Sequence, residues 1–248
     1  MKAIILAAGR GSRMGNLTNE TPKGLVRLKG RPLIDWQLEA LRDAGIEEIG
    51  LVSGYRAERL TSYGLPIFHN PDWQHTNMLH SLTQASQWLR TSPCIVSYSD
   101  IFYSSQPVRA LIASRADIGI AYDPAWLELW CRRFSDPLED AETFRFDSTR
   151  NILLEIGQRP STSEEVAGQY MGLLHFTPHG WAQVETLLEG LPMETAKKLD
   201  MTSLLSRLLA CGAPIALARN EMPWGEVDSA QDLALYDGDP TLTLPIHA

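Results

Sequence analysis

Residues able to handle phosphate stand at three places in the chain. Near the amino end, Leu6-Ala7-Ala8-Gly9-Arg10-Gly11-Ser12-Arg13-Met14 is followed by Pro22-Lys23. Glycines let backbone N–H groups approach a ligand without Cβ obstruction, and nests of such groups bind anions. Arg13 and Lys23 place two cations beside that nest, a set that suits a triphosphate. Asp100 in mid-chain, and Glu226 and Asp228 late in the chain, supply carboxylates. Magnesium takes such oxygens together with phosphate oxygens and waters. The chemistry these residues serve is transfer at phosphorus. An anionic nucleophile there meets an anionic electrophile, so charge neutralisation dominates. An acceptor that is already a phosphate dianion needs no general base, so the lack of an obvious catalytic histidine leaves no gap.

The elements around these residues read as an α/β fold. Ala3–Ala8 is an apolar run that predicts a buried strand, ending in the glycine turn. Residues 31–45 predict a helix, with Pro32 in its first turn, Gly45 at its carboxyl cap, and Leu33, Ile34, Leu38 and Leu41 on one apolar face. Strands follow over 46–52 and 66–69, then a polar loop over 70–77 and a helix over 78–89. Cys94–Tyr98 predicts another buried strand, with Asp100 just beyond its carboxyl end, where ligands bind in open α/β sheets. The alternation implies a mainly parallel, mixed, Rossmann-like sheet with helices on both faces. After Tyr122 the pattern changes to a hairpin over 143–156 and a strand over 170–176. Helices over 178–190 and 200–211 follow, then a strand over 215–218. Glu226 and Asp228 lie two apart on what reads as a last strand, so they share a face. Ser229-Ala-Gln-Asp232 resembles a capping box opening a final helix. The chain reads as one domain over residues 1–236, with a substrate-side insert at about 123–176. Residues 237–248 read as a loosely held carboxyl-terminal extension.

The 248 residues carry a formal charge of −8, yet the first 31 hold Lys2, Arg10, Arg13, Lys23, Arg27, Lys29 and Arg31 against Glu20 alone. A basic front on an acidic protein fits a small polyanion bound locally and argues against nucleic acid. No apolar stretch approaches the roughly 20 residues of a membrane helix, and the amino terminus reads as a strand followed by a loop, not as a secretory signal. Cys94, Cys131 and Cys211 form no paired motif, which is the pattern of reduced thiols in a cytoplasmic protein.

Two familiar phosphate loops are excluded. The dinucleotide fingerprint needs a third glycine where this chain has Met14. The Walker loop needs Gly-Lys-Ser/Thr, which does not occur. The pattern Leu-Ala-Ala-Gly-x-Gly-x-Arg-Met with a following Pro-Lys instead resembles the signature of the nucleotidyltransferases that activate sugar phosphates and small alcohol phosphates. That resemblance implies the nucleotide-diphospho-sugar transferase type of fold and a magnesium cofactor. It lays the nucleotide along Leu6, Ala7, Ala8, Gly9, Gly11, Ser12, Arg13 and Lys23, with Ala8 and Gly9 bordering the base. It gives Arg13 the leaving pyrophosphate, and Lys23 the bridge between α-phosphate and incoming phosphate. It gives Asp100 and Asp228 the metal, although Ser99 stands where many sugar-phosphate members have glycine. Thr76 and Asn77 fall where the family reads a pyrimidine edge; equally, either one caps the following helix.

The length and the Trp224-Gly-Glu-Val-Asp228 ending look more like the cytidylyltransferases for phosphocholine and 2-aminoethylphosphonate. The resemblance thus implies CTP and a small phosphorylated or phosphonate acceptor. A sugar-1-phosphate enzyme, and a nucleotide-binding module without catalysis, are the other readings. Tyr122, Trp126 and Trp130, with Tyr170, form a candidate lining for an ammonium group, and Asp136, Glu139, Asp140 and Glu142 would supply negative potential. Trp126 and Trp130, four apart, also fit an ordinary packed helix face. The base, the acceptor, and the choice between monomer and homodimer stay open at this level.

Overall fold

The computed structural model describes residues 1–245. Its strands are β1 (Lys2–Ala7), β2 (Arg27–Leu28), β3 (Arg31–Pro32), β4 (Glu48–Ser53), β5 (Ile67–His69), β6 (Cys94–Tyr98) and β7 (Ile101–Phe102), followed by β8 (Ile118–Asp123), β9 (Phe144–Asp147), β10 (Ile152–Ile156), β11 (Gln169–Phe176), β12 (Ala216–Arg219) and β13 (Gly225–Glu226). The helices are α1 (Leu33–Asp43), α2 (Met78–Thr83), α3 (Ser86–Thr91), α4 (Ser105–Ser114), α5 (Trp126–Arg133), α6 (Pro178–Glu189), α7 (Met193–Lys198), α8 (Met201–Ala210) and α9 (Ala230–Asp237).

One nine-stranded sheet has the order β5-β4-β1-β6-β11-β8-β12-β10-β9. Pairing is parallel from β5 to β6 and between β8 and β12. Only β10 and β11 run against the other strands. The expected mainly parallel mixed sheet is therefore what the chain builds. Every residue of β8 and β11 is buried, so both faces of the sheet are covered. Helix α4 packs on α1 and on β8, β11 and β12, while α3 packs on α6, and α6 on α8.

Local chemistry explains the differences from the sequence expectations. Pro32 precedes α1 as its cap instead of lying in its first turn, and Gly45 ends the turn at φ +89°. The helix expected over 78–89 is two, broken at Gln84–Ala85. There Thr83 and Ser86 hydroxyls donate to the backbone carbonyls of His80 and Thr83, competing with the helical ladder. Helices α4 and α7 are additional to the expected elements. The strand expected over 224–228 is two residues long. It pairs outside the main sheet, antiparallel to β7, with Glu226 opposite Ile101.

The carboxyl-terminal segment is not loosely held where it is described. Arg132 pairs with Asp239 at 2.5 Å, Lys29 Nζ donates to the carbonyls of Asp237 and Asp239, and Leu242 and Leu244 pack on a small apolar cluster that includes Phe102 and Tyr236. The extension's final residues, 246–248, lie outside the described residues.

Candidate active site

The site forms where β1 and β6 end, closed on one side by the β7–β13 ladder. Strand β1 is an apolar run that the sheet buries, and its end releases Ala8 and Gly9 into the turn. Gly11 takes a left-handed conformation (φ +72°), and a Cβ there would meet Lys23 Cβ, Cγ and Cδ at 2.8–2.9 Å. Close approach to Lys23 and positive φ thus both require glycine at 11. Lys23 opens a short helical turn after Pro22 and is only 8 % exposed. Gly24 brings that turn against Ile34 and Ser99, where a Cβ would stand about 3 Å from both side chains.

Asp100 follows β6, and its carbonyl accepts from Val227 N at 2.8 Å. That bond and the Ile101–Glu226 register carry the late carboxylates to the mid-chain one. Oxygens of Asp100, Glu226 and Asp228 lie within 4.8 Å of one another. Lys23 Nζ donates to Asp100 Oδ2 at 2.6 Å and to Asp228 Oδ1, and Arg13 pairs with Asp228 from a largely exposed position. Helix-capping falls to Ser229, which forms a capping box with Asp232. The Asp228 carboxylate is therefore left to the cluster.

The electrostatics follow from the crowding. Burial opposes the charge on Lys23 more than any other single influence, but Asp100, Asp228 and Glu226 together outweigh it. Its pKa is raised above the ordinary value. Burial, then the nearby Asp100 charge, pushes Glu226 up to about 7, with Arg133 and Lys23 opposing. Arg133 is buried; it donates to Glu226 Oε2 at 3.0 Å and to Asp232 Oδ1 at 2.9 Å. Asp100 Oδ1 is buried with no hydrogen-bond partner. An acceptor oxygen without a donor, among three converging carboxylates, fits a hard divalent cation such as magnesium.

A cleft of about 200 Å³ adjoins the cluster. Leu6, Ala8, Gly9, Lys23, Thr76, Asn77 and Asp100 line it, with Trp73, Met78, Ser81, Tyr98 and Ser99. Ala7 does not line it: the alternation of β1 turns it into the core, opposite Ser53. Ser12 is exposed on the turn after Gly11, outside the cleft lining. Asn77 caps α2 by accepting from Met78 N at 2.8 Å, and its amide lies against Lys198. The Thr76 hydroxyl accepts from Asn70 and donates to Asp72. The capping alternative thus holds for Asn77, although both residues border the cleft.

A second cavity of about 310 Å³ shares Met78 and Tyr98 with the first and is also lined by Glu226, Tyr170, Asp140 and Glu142. The aromatic lining expected from Tyr122, Trp126 and Trp130 is not built. Tyr122 stacks on Phe144 at 5.4 Å. Trp126 and Trp130 are 3 % and 1 % exposed and belong to the main core, with the Trp126 indole donating to the Val166 carbonyl. The packed-face alternative is the one the fold adopts, because α5 lays both indoles inward; only Tyr170 of that group reaches the cavity. Asp136 caps a short turn and, like Glu139, stays outside it.

Tyr98, Gln169 and Arg133 belong to the site and to no motif of the sequence. Tyr98 was open to inference, being two residues before Asp100 at a strand end. Arg132-Arg133 looks like solvated charge closing a helix, and nothing local reveals that Arg133 is buried.

A family model for the MobA-like NTP transferase domain matches residues 3–154. The chain belongs to that family. It is a nucleotidyltransferase, which removes the non-catalytic alternative. It is 34% identical to the CTP:phosphoglutamine cytidylyltransferase of Campylobacter jejuni, over 94% of this chain and 98% of that relative. It is 37% identical to the choline-phosphate cytidylyltransferase of Streptococcus pneumoniae, over 41% of this chain and 46% of the relative. The fold resembles that of the CTP:phosphocholine cytidylyltransferase from Streptococcus pneumoniae at a TM-score of 0.72 and 21% identity, covering 95% and 97% of the two chains. It also resembles the inositol-1-phosphate CTP transferase from T. maritima at 0.72 and 20%, covering 95% and 94%. No helix among the described residues is long and apolar enough to cross a membrane.

Proposed function

We propose that the protein transfers CMP from CTP to a small phosphorylated or phosphonate acceptor bearing an amine, of the phosphocholine or 2-aminoethylphosphonate kind. An acceptor phosphate oxygen bonds to the α-phosphorus of CTP; the bond from that phosphorus to the α,β-bridging oxygen breaks, and its electron pair leaves with pyrophosphate. The observation that carries this reading is the convergence of Lys23, Asp100, Glu226 and Asp228 between two adjoining cavities. Support for cytidine comes from relatives named as cytidylyltransferases, one of them similar over nearly the whole chain.

In this reading the first cavity takes the nucleotide and the second the acceptor. The turn at Ala8, Gly9 and Gly11 offers backbone N–H groups to the phosphates. Arg13 meets the departing pyrophosphate. Lys23, charged at any working pH, lies between the two phosphates and offsets the charge that grows as they approach. Asp100, Asp228 and Glu226 would hold magnesium, which polarises phosphoryl oxygens. Arg133 fixes Glu226 from behind.

The test is pyrophosphate release from CTP and from UTP, each with phosphocholine, 2-aminoethylphosphonate and glucose 1-phosphate. CTP with an amine-bearing acceptor is expected to give the highest kcat/KM. A preference for glucose 1-phosphate would replace this reading with that of a sugar nucleotide synthase.

A further inference from the structure

The second cavity holds an acidic cluster that the phosphoryl chemistry does not use. Asp140, Glu142 and Asp200 line one part of it, and neither Asp100 nor Lys23 lines it. Among the described residues no lysine, arginine or histidine forms an ion pair with any of the three. Thr202 Oγ1 lies 3.2 Å from Glu142 Oε1 and 3.3 Å from Asp200 Oδ1, and one hydroxyl proton cannot serve both. Burial, then repulsion from Asp200 and Asp140, raises the Glu142 pKa. The negative charge is therefore concentrated, met by hydrogen bonds from Thr202 and, at the α8 cap, Ser203 N, but by no cation among the described residues.

A second observation is independent of that charge. Gln169 and Tyr170, neighbours on β11, also line the cavity and are 9 % and 8 % exposed. Gln169 Oε1 is buried without a hydrogen-bond partner, and the buried Tyr170 hydroxyl has the Tyr98 hydroxyl beside it, which leaves the Tyr170 oxygen free to accept. Tyr170 packs edge to face on Tyr98, which lines both cavities, with ring centroids 5.9 Å apart. Buried acceptors left unpaired cost free energy that a ligand's N–H donors would recover.

We infer that this part of the cavity recognises a primary ammonium on the acceptor, with Gln169 Oε1 and Tyr170 accepting its N–H bonds and Glu142 and Asp200 neutralising its charge. The inference rests on the second cavity being the acceptor side. It also separates two kinds of amine. A quaternary ammonium has no N–H to donate and is held by aromatic faces. Tyr122, Trp126 and Trp130 are spent on the core; of the aromatics that do line the cavity, Tyr98 and Tyr170 pack edge to face on each other at 5.9 Å, and Trp224 packs on Trp130 with its indole donating to Asp123. Oxygen acceptors instead crowd this part of the cavity, and they reward a group with three donors.

Equilibrium titration calorimetry on the full chain tests this without turnover. The probes are 2-aminoethylphosphonate, its N,N,N-trimethyl derivative and ethylphosphonate, which share one phosphonate end. The primary amine is expected to bind about tenfold tighter than either of the others, the scale of a charge-assisted hydrogen-bonded contact. In Glu142→Gln, and in Asp200→Asn, which retains a side chain able to cap α8, that ratio should collapse toward one. Equal or tighter binding of the trimethyl derivative overturns the inference. So does no measurable binding of any probe, or a ratio that neither variant moves. Tight, Glu142-dependent binding without pyrophosphate release from CTP would instead overturn the proposed reaction and leave this recognition standing.

Discussion

Gly11 and Lys23 are fitted to one another: a Cβ added at residue 11 would stand 2.8 Å from Cγ and Cδ of Lys23, the side chain that joins Asp100 to Asp228. The glycine turn is therefore more than a phosphate nest. It is also the wall along which the lysine stem lies, so the two halves of the amino-terminal motif constrain each other through direct packing.

Gly11→Ala should consequently injure catalysis and stability together. The left-handed conformation costs a residue with a Cβ about 1 kcal/mol, and the added methyl displaces the Lys23 stem. Steady-state pyrophosphate release should fall by about tenfold or more, in kcat more than in KM for nucleotide, since a misplaced group mainly loses transition-state contacts. A variant with a lower melting temperature but wild-type kcat would show that the Gly11–Lys23 contact is structural only.

Lys23→Ala should lower kcat by about 10²-fold, the scale on which one preorganised electrostatic donor acts. The structure adds a second consequence. Asp100 and Asp228 share this ammonium, so its removal leaves two carboxylates facing each other. Lys23 is also one of the two charges that hold the Glu226 pKa down, so in the variant Glu226 should keep its proton to higher pH than in the parent. Kinetics that raise only KM for the nucleotide, with kcat intact, would make Lys23 a uniform-binding residue.

How much of this site the sequence discloses depends on the range of the interactions. The glycine turn, Lys23, Asp100 and Asp228 were legible because each sits at a strand end or in a motif with local spacing. The nearest-neighbour sheet order and the split of the 78–89 helix were not, since side-chain hydroxyls and tertiary packing decide them. The choice between the two readings of Trp126 and Trp130 depends on range in the same way. An i,i+4 aromatic pair marks a helix face, but only the packing of α5 against Trp224 and Phe134 says that the face is inside. Arg133 was hidden for the converse reason: its partners, Glu226 and Asp232, lie about a hundred residues away.

Asp100→Asn and Asp228→Asn should each keep the fold and lose most turnover at fixed magnesium. A neutral amide is a weaker ligand for a hard cation. The half-saturating magnesium concentration should rise in both, and a chelator should abolish turnover in the parent. Turnover in both variants that matches the parent at all magnesium concentrations would falsify the proposed metal site.

The raised pKa of Glu226 gives the metal-free protein a pH dependence of definite sign. A carboxylic acid ordinarily near 4.5 is pushed up to about 7 here, first by burial and then by Asp100. Between those values the unfolded chain has already lost the proton while the folded chain still holds it. The folded state thus binds more protons there, and stability falls as pH rises from about 4.5 to about 7, then levels off. Glu142, raised in the same direction, adds to the slope. Asp232, whose pKa is lowered because Arg133 outweighs its burial, contributes a loss only on acidification below the ordinary aspartate range, outside this window. The Glu226 contribution is at most about 3 kcal/mol. Urea denaturation with chelator present should give a lower midpoint at pH 7.5 than at pH 5. Glu226→Gln should flatten that difference, and magnesium, by favouring the ionised cluster, should reduce it in the parent. A midpoint that rises with pH across this window, or a Glu226→Gln variant with the parent's slope, would show that Glu226 is ionised in the folded protein well below neutrality.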